Sequence, residues 1–310
     1  MIGVGLYGDN GHQVQQLLVN HPKAELIGVS QFVQNPQGAR IYASLDEMLI
    51  DRRIKLVCLC SPKRSEQVGH AIKCLEAGKH VYAEKPCAMY EDELDRIIDT
   101  AKRTGMRFHE MSWMSYEEPY RSIRDIVKSG TIGNVVQVFA QKSYPYHADR
   151  PQDENIDGGL IRQVGIHALR LIEDTACVKI VDITAIETKY GNPVENGGLH
   201  MASILSMKLH NGGIAVAIAN YLNQHGHGKW GNDHLRIFGN LGFVESVDGG
   251  ARTRLVVGDT DYGEIKTQGR VSYFDMLIDS LNGESVMPHS LEYELSPIRM
   301  VLRAKQAAHE

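Results

Sequence analysis

Two hydrophobic rhythms divide this chain. Up to about residue 112, short apolar runs alternate with stretches of helical period. Residues 2–7, 25–30, 55–60, 80–83 and 106–111 read as strands, and 55–60 is so uniformly apolar that burial on both faces is expected. Residues 11–21, 45–51, 67–77 and 91–104 read as helices; Val68, Ala71, Ile72 and Leu75 fall on one face of the third. Ser44-x-x-Glu47 is a capping box. Gly78 and Gly105 close helices in the left-handed conformation that glycine adopts without a side-chain clash. Strand and helix in strict alternation predict a doubly wound parallel sheet. Beyond residue 112 the rhythm changes. A helix over 120–128 is followed by strands over 135–142, 180–188, 201–209, 213–221, 233–238 and 242–247 with short turns, then by a helix over 297–308. That pattern predicts an α+β domain with a large, mostly antiparallel sheet. The expected fold is α/β, with domains at 1–112 and 113–310.

Composition changes this picture little. With 310 residues there is material for two cores, and 43% hydrophobic and 23% charged residues are ordinary globular values. A net charge of −5 and a pI near 6.3 argue against nucleic-acid binding. No run of 18 apolar residues suggests a membrane span, and the chain starts in strand-like sequence with no leader pattern. Five cysteines without framework spacing fit a reducing cytoplasm, with Cys58 and Cys60 packed in a core. His225, His227 and His234 lack a convincing fourth ligand, so no metal is expected and that segment reads as a loop.

The chemistry gathers at strand ends. Gly3-x-Gly5-x-x-Gly8 literally matches a dinucleotide fingerprint, but it leaves only two residues for the preceding strand. The better register makes Gly8-Asp9-Asn10-Gly11 the turn and starts a helix near His12, whose N-terminus would face a pyrophosphate. A hairpin turn would use the same four residues, but the helical period that follows argues against it. After the second strand, Ser30-Gln31 stands where an acidic residue commonly holds a ribose. Gln31 neither repels nor demands a 2′-phosphate, so NAD and NADP are both admitted. Ser61-Pro62 ends another strand, and Glu84-Lys85-Pro86 ends the next, because proline cannot continue a central strand. With His109-Glu110 these groups are expected around one crevice. Taken alone, Glu84-Lys85 would read as a solvated ion pair.

Glu84-Lys85-Pro86, preceded by Ala77-Gly78-Lys79-His80-Val81, resembles the signature of the Gfo/Idh/MocA oxidoreductases. Ser61-Pro62, Ser129-Gly130-Thr131-Ile132-Gly133, the stretch from Gly158-Gly159 to Gly165-Ile166-His167, Trp230-Gly231-Asn232-Asp233 and Ile237-Phe238-Gly239 resemble that family's later segments, in order. The resemblance implies a Rossmann domain binding NAD or NADP, with Gly8 to His12, Ser30, Gln31, Ser61, Pro62 and Glu84 to Pro86 at the cofactor. It also implies a second domain that binds substrate and assembles a homodimer or homotetramer through its sheet. The implied reaction is hydride transfer between nicotinamide and a hydroxyl carbon of a sugar, cyclitol or related polyol. In it Lys85 orients the hydroxyl and His167 takes its proton. Two positions depart from the pattern: Gln163 and Arg170 stand where acids are expected. Gln163 can orient a substrate but cannot accept a proton. That keeps open a glycoside hydrolase or lyase working through transient oxidation, or a non-catalytic dinucleotide-binding regulator. Tyr144, Tyr146 and His147, after a strand, and Arg162, beside Gln163, are the candidate substrate contacts.

Overall fold

The computed structural model describes residues 1–31, 38–111, 114–269 and 271–309. The chain forms two compact units. The first comprises Met1–Ser112, Asn155–Gly158 and Ser272–Ser296; the second comprises Trp113–Glu154, Gly159–Val271 and Pro297–Glu310. The expected domain boundary, between 112 and 113, lies outside the described residues.

In the first unit, β1 (Ile2–Tyr7), β2 (Ala24–Ser30), β3 (Arg40–Ile41), β4 (Ile54–Leu59), β5 (His80–Ala83) and β6 (Phe108–Glu110) form one parallel sheet in the order β3-β2-β1-β4-β5-β6. This is the doubly wound order, whose ligand crevice lies at the carboxyl ends of the strands. The connecting helices are α1 (Gln15–Leu18), α2 (Leu45–Ile50), α3 (Gln67–Glu76) and α4 (Glu91–Thr104). The expected cap of α2 forms: Ser44 Oγ accepts from the Glu47 N–H at 3.1 Å. Gly105 ends α4 at φ +70°. The helix expected over 11–21 is corrected to four residues, with no side-chain cap. Its first turn is diverted because the His12 N–H is bonded to the Glu84 carboxylate rather than left for a helix.

In the second unit, α5 (Tyr120–Lys128) leads into β7 (Val135–Pro145). A short α6 (Glu154–Asp157) precedes a helical stretch in which α7 (Ile166–Arg170) is flanked by π-turns at Ile161–Gly165 and Leu171–Thr175. The strands β8 (Ile180–Thr188), β9 (Ala202–Leu209), β10 (Ile214–Asn223), β11 (Asn232–Gly239), β12 (Gly242–Val247), β13 (Arg252–Val257) and β14 (Thr260–Gly263) follow. The eight-stranded sheet runs β14-β13-β12-β11-β7-β10-β9-β8 and is antiparallel except where β7 pairs with β10. Sequence reading missed β13 and β14, whose charged Arg252-Thr253-Arg254 hides the alternation.

Period-two alternation sorts the faces of this sheet. Ala215, Ala217, Ala219 and Tyr221 of β10 are buried, and the helical stretch 161–175 packs against them and β7. Small side chains let that helix approach closely. Met201 and Leu205 are buried, while Ile186, Ile204 and Ile214 are exposed. Finally α8 (Tyr273–Leu281) belongs to the first unit, and α9 (Leu291–Gln306) contributes its residues up to Ser296 to it. Starting α9 at Pro297 is also corrected. Ser290 Oγ accepts from the Tyr293 N–H and opens the helix six residues earlier.

Candidate active site

The carboxyl edge of the parallel sheet is built around Arg64 and Glu84. Arg64 is 1% exposed, although it stands between the charged Lys63 and Glu66. Its guanidinium donates to the carbonyls of Ser61 (3.0 Å), Lys85 (3.1 Å) and Asn10. One side chain therefore ties together the segments that follow β4, β5 and β1. Gln67, also buried, donates to the carbonyls of Glu84 and Pro86 and accepts from the Ser61 N–H. Sequence reading missed both; their signal is five guanidinium donors and an amide among strand-end carbonyls, visible only once the strands pair.

Glu84 is 1% exposed. One carboxylate oxygen accepts from the His12 backbone N–H and lies 2.7 Å from His12 Nδ1; the other accepts from the Lys85 N–H at 2.9 Å. Burial alone would push this carboxyl up, but His12, Lys85 and Arg64 outweigh burial and hold it down at about 2. Lys85 is 4% exposed, with Nζ 3.9 Å from Glu84 Oε1. Burial lowers its ammonium pKa, opposed by Glu84, Glu110 and Asp157. An ammonium so placed is easily tuned to stabilise a developing negative oxygen. The pair is buried, not solvated.

The glycine turn has the shape a dinucleotide needs. Gly8 takes φ +75°, and a Cβ there would fall 2.1 Å from the Cys60 carbonyl oxygen. Gly11 takes φ +131°, and a Cβ would fall 2.6 Å from Glu84. Asp9 and His12 are exposed. Asn10 uses its amide to hold the turn, donating to the carbonyls of Pro62 (2.9 Å) and Ile156 (3.0 Å). At the end of β2, Ser30 Oγ is buried with no partner among the described residues, and Gln31 is exposed at φ +57°. An orphaned hydroxyl beside a glycine turn at the strand ends fits a dinucleotide's hydroxyl and phosphate groups. Ser61 Oγ bonds His70 Nδ1 at 2.9 Å. His109, expected at the crevice, is turned into the unit, where Nδ1 bonds Glu294 (2.8 Å) and Tyr273 (3.0 Å).

The second unit carries the other candidates. His167, 6% exposed on α7, shares a 3.1 Å hydrogen bond between Nε2 and Tyr144 OH. π-turns flank this helix on both sides, a distortion frequent at functional sites. Gln163 accepts from Arg150 Nη1 (2.9 Å) and Tyr221 OH (3.0 Å), two partners that sequence reading did not name. Tyr146 packs against the cluster of Tyr144, Leu160, Val164, Leu199, Met201, Ala219 and Tyr221. The His147 ring lies 6.0 Å from that of Trp230. Arg162 is buried 3.4 Å from Glu154. Glu154, Glu187 and His200 bring three ligand-type atoms within 4.8 Å of one another. The Lys305 ammonium already bridges the two carboxylates, so the cluster neutralises itself as a charge network.

Comparison with known proteins completes these observations. Residues 1–111 match the model of an oxidoreductase family with an NAD-binding Rossmann fold, and residues 120–245 match the GFO/IDH/MocA C-terminal domain. An uncharacterized oxidoreductase of Rhizobium meliloti is 34% identical over 158 residues, covering 49% of this chain and 47% of that protein. The dTDP-3,4-didehydro-2,6-dideoxy-alpha-D-glucose 3-reductase of Streptomyces violaceoruber is 33% identical over 101 residues, covering 32% and 30%. The matches thus span less than half the length of these curated relatives. Among solved structures, an aldose-aldose oxidoreductase from Caulobacter crescentus complexed with glycerol superposes with a TM-score of 0.81 at 16% identity, covering 99% of this chain and 97% of that one. The WlbA dehydrogenase from Bordetella pertussis, in complex with NADH and UDP-GlcNAcA, gives 0.79 at 17%, covering 99% and 96%. At such identities the likeness is one of fold. Both family models, matched in order along the chain, establish that it belongs to the Gfo/Idh/MocA oxidoreductases, the family with an NAD-binding Rossmann N-terminal domain.

Proposed function

We propose that this chain is an NAD(P)-dependent oxidoreductase that moves a hydride between nicotinamide and a hydroxyl-bearing carbon of a sugar, cyclitol or related polyol. The buried Lys85 ammonium at the carboxyl edge of the parallel sheet carries the reading. A cation kept there against the cost of burial has a use in stabilising an alkoxide. The dinucleotide, held at Gly8–His12, Ser30, Gln31, Ser61-Pro62 and Glu84–Pro86, supplies the hydride acceptor or donor. His167 takes the hydroxyl proton, as an imidazole suits near neutral pH. Tyr144, bonded to Nε2, orients the ring. Gln163 has no proton to exchange, so the proton passes to His167, four residues further along the same helical stretch. The nucleotide-sugar reductase and dehydrogenase among the compared proteins support this substrate class by their names. Residues 1–112 are assigned to the cofactor; residues 113–310 are assigned to substrate binding and to assembly of a homo-oligomer through the exposed sheet face.

The test is calorimetry with NAD(H) and NADP(H), followed by nicotinamide absorbance during turnover of a polyol panel. Neither dinucleotide binding would sink the reading. With a substrate found, His167→Ala is expected to cut turnover by roughly 10²–10⁴ and Lys85→Ala by roughly 10²–10³, both with dinucleotide affinity retained. Full turnover in both variants would overturn the roles given to His167 and Lys85, whereas bound dinucleotide with no turnover on any polyol would favour a binding role.

A further inference from the structure

Gln163 is held by two donors in a way that fixes which end of its amide is free. Arg150 is a donor with no acceptor atom, so the atom facing its Nη1 at 2.9 Å must be the amide oxygen. Tyr221 OH, 3.0 Å from the same oxygen, fills its second lone pair. The clamp is itself braced: the Arg150 guanidinium lies over the Tyr221 ring, 3.9 Å from its centroid, and both residues are buried. The Gln163 side chain is half-buried, and among the described residues its two N–H donors meet no acceptor. It sits four residues before His167 on the same helical stretch. A carboxylate at this position would offer a lone pair to a substrate hydroxyl. This glutamine has no lone pair left to offer and presents donors only.

We propose that Gln163 is a specificity-determining residue, and that the ligand group it meets is an acceptor-only oxygen, a carboxylate or ketone, rather than a hydroxyl donating its proton. Arg150 and Tyr221 are positioning residues that keep the donor edge outward. The inference rests on the preceding reading, in which the His167 helix holds the substrate, and narrows that reading's substrate class to oxidised or acidic polyols. It favours ligands whose oxygen accepts, since a hydroxyl aimed at Gln163 would have to turn its own proton elsewhere.

The experiment uses the full chain saturated with NADH and three probes: D-glucuronate for the carboxylate, 2-keto-myo-inositol for the ketone and myo-inositol for hydroxyls alone. Binding is followed by calorimetry, turnover of the ketone by nicotinamide absorbance. Glucuronate or the ketone is expected to bind at least about tenfold more tightly than myo-inositol, and the better of the two identifies the source of the acceptor. Gln163→Glu preserves the acceptor for Arg150 and Tyr221 while replacing the donors. It is expected to weaken the preferred probe roughly ten- to hundredfold, leaving NADH affinity and Tm in place. Tyr221→Phe, with Arg150 still in place, is expected to raise KM by a smaller factor and leave kcat within about twofold. Preference for myo-inositol, an unchanged Gln163→Glu, or failure of all three probes to bind the NADH-loaded protein would overturn the proposal alone. Failure of NADH itself to bind would overturn the functional reading beneath it.

Discussion

Glu84 shows how one buried side chain can be both structural and chemically consequential. It neutralises Lys85, occupies the His12 N–H and packs beneath Gly11. Its carboxyl is lowered from 4.5 to about 2 in the folded protein. The unfolded chain therefore takes up the proton first as pH falls. Stability from this group is complete above pH 4.5 and is lost as pH drops from there through 2; in full it amounts to about 3 kcal/mol. Glu84→Gln keeps the shape and removes the titration. Its stability deficit should thus be largest above pH 5 and shrink toward pH 2, a trend that urea melts at stepped pH would reveal. A deficit independent of pH would contradict the assignment. The donor edge of Gln163 belongs to the same scale, since a single amide decides what the helix can recognise.

At the level of elements, the parallel sheet explains why Arg64 is buried. The carboxyl ends of β1, β4 and β5 each release carbonyls that the ladders no longer satisfy, and burial makes every unpaired one costly. One planar guanidinium reaches three of them. Arg64→Ala is expected to cost about 3 kcal/mol or more in chemical denaturation. Arg64→Lys should recover less than half of that, because an ammonium cannot reproduce the fork. A loss below about 1 kcal/mol would show that water replaces the guanidinium. In the second unit the alanines of β10 play the matching role, admitting the π-distorted helix that carries Gln163 and His167.

For the molecule as a whole, the outward face of the eight-stranded sheet sets the expectation. Ile186, 62% exposed, pairs across the ladder with Ile204, 54% exposed, which in turn pairs with Ile218. A continuous row of isoleucines, Ile186 and Ile204 more than half exposed and Ile218 half-buried, is costly to leave in water. We expect a homo-oligomer by light scattering at micromolar concentration, dissociated by Ile204→Lys with its far-ultraviolet circular dichroism unchanged; a monomeric parent chain would contradict this. Much of this architecture was legible before folding was considered. Local patterns suffice for the strand–helix alternation, the caps at Ser44 and Gly105 and the placing of Glu84-Lys85 at a strand end, because they depend on neighbours a few residues away. The ordered family motifs likewise lie in the linear string. Other features were decided only by tertiary contacts. The partner of Glu84 lies 72 residues away, the clamp on Gln163 joins positions 58 apart, and residues 155–158 and 272–296 join a unit begun at residue 1. No periodicity encodes such meetings, since a buried polar group is satisfied by whichever donor or acceptor the fold delivers, however distant in the chain. The same rule shortened α1, where a buried carboxylate from 72 residues on took the His12 N–H before a helix could form there.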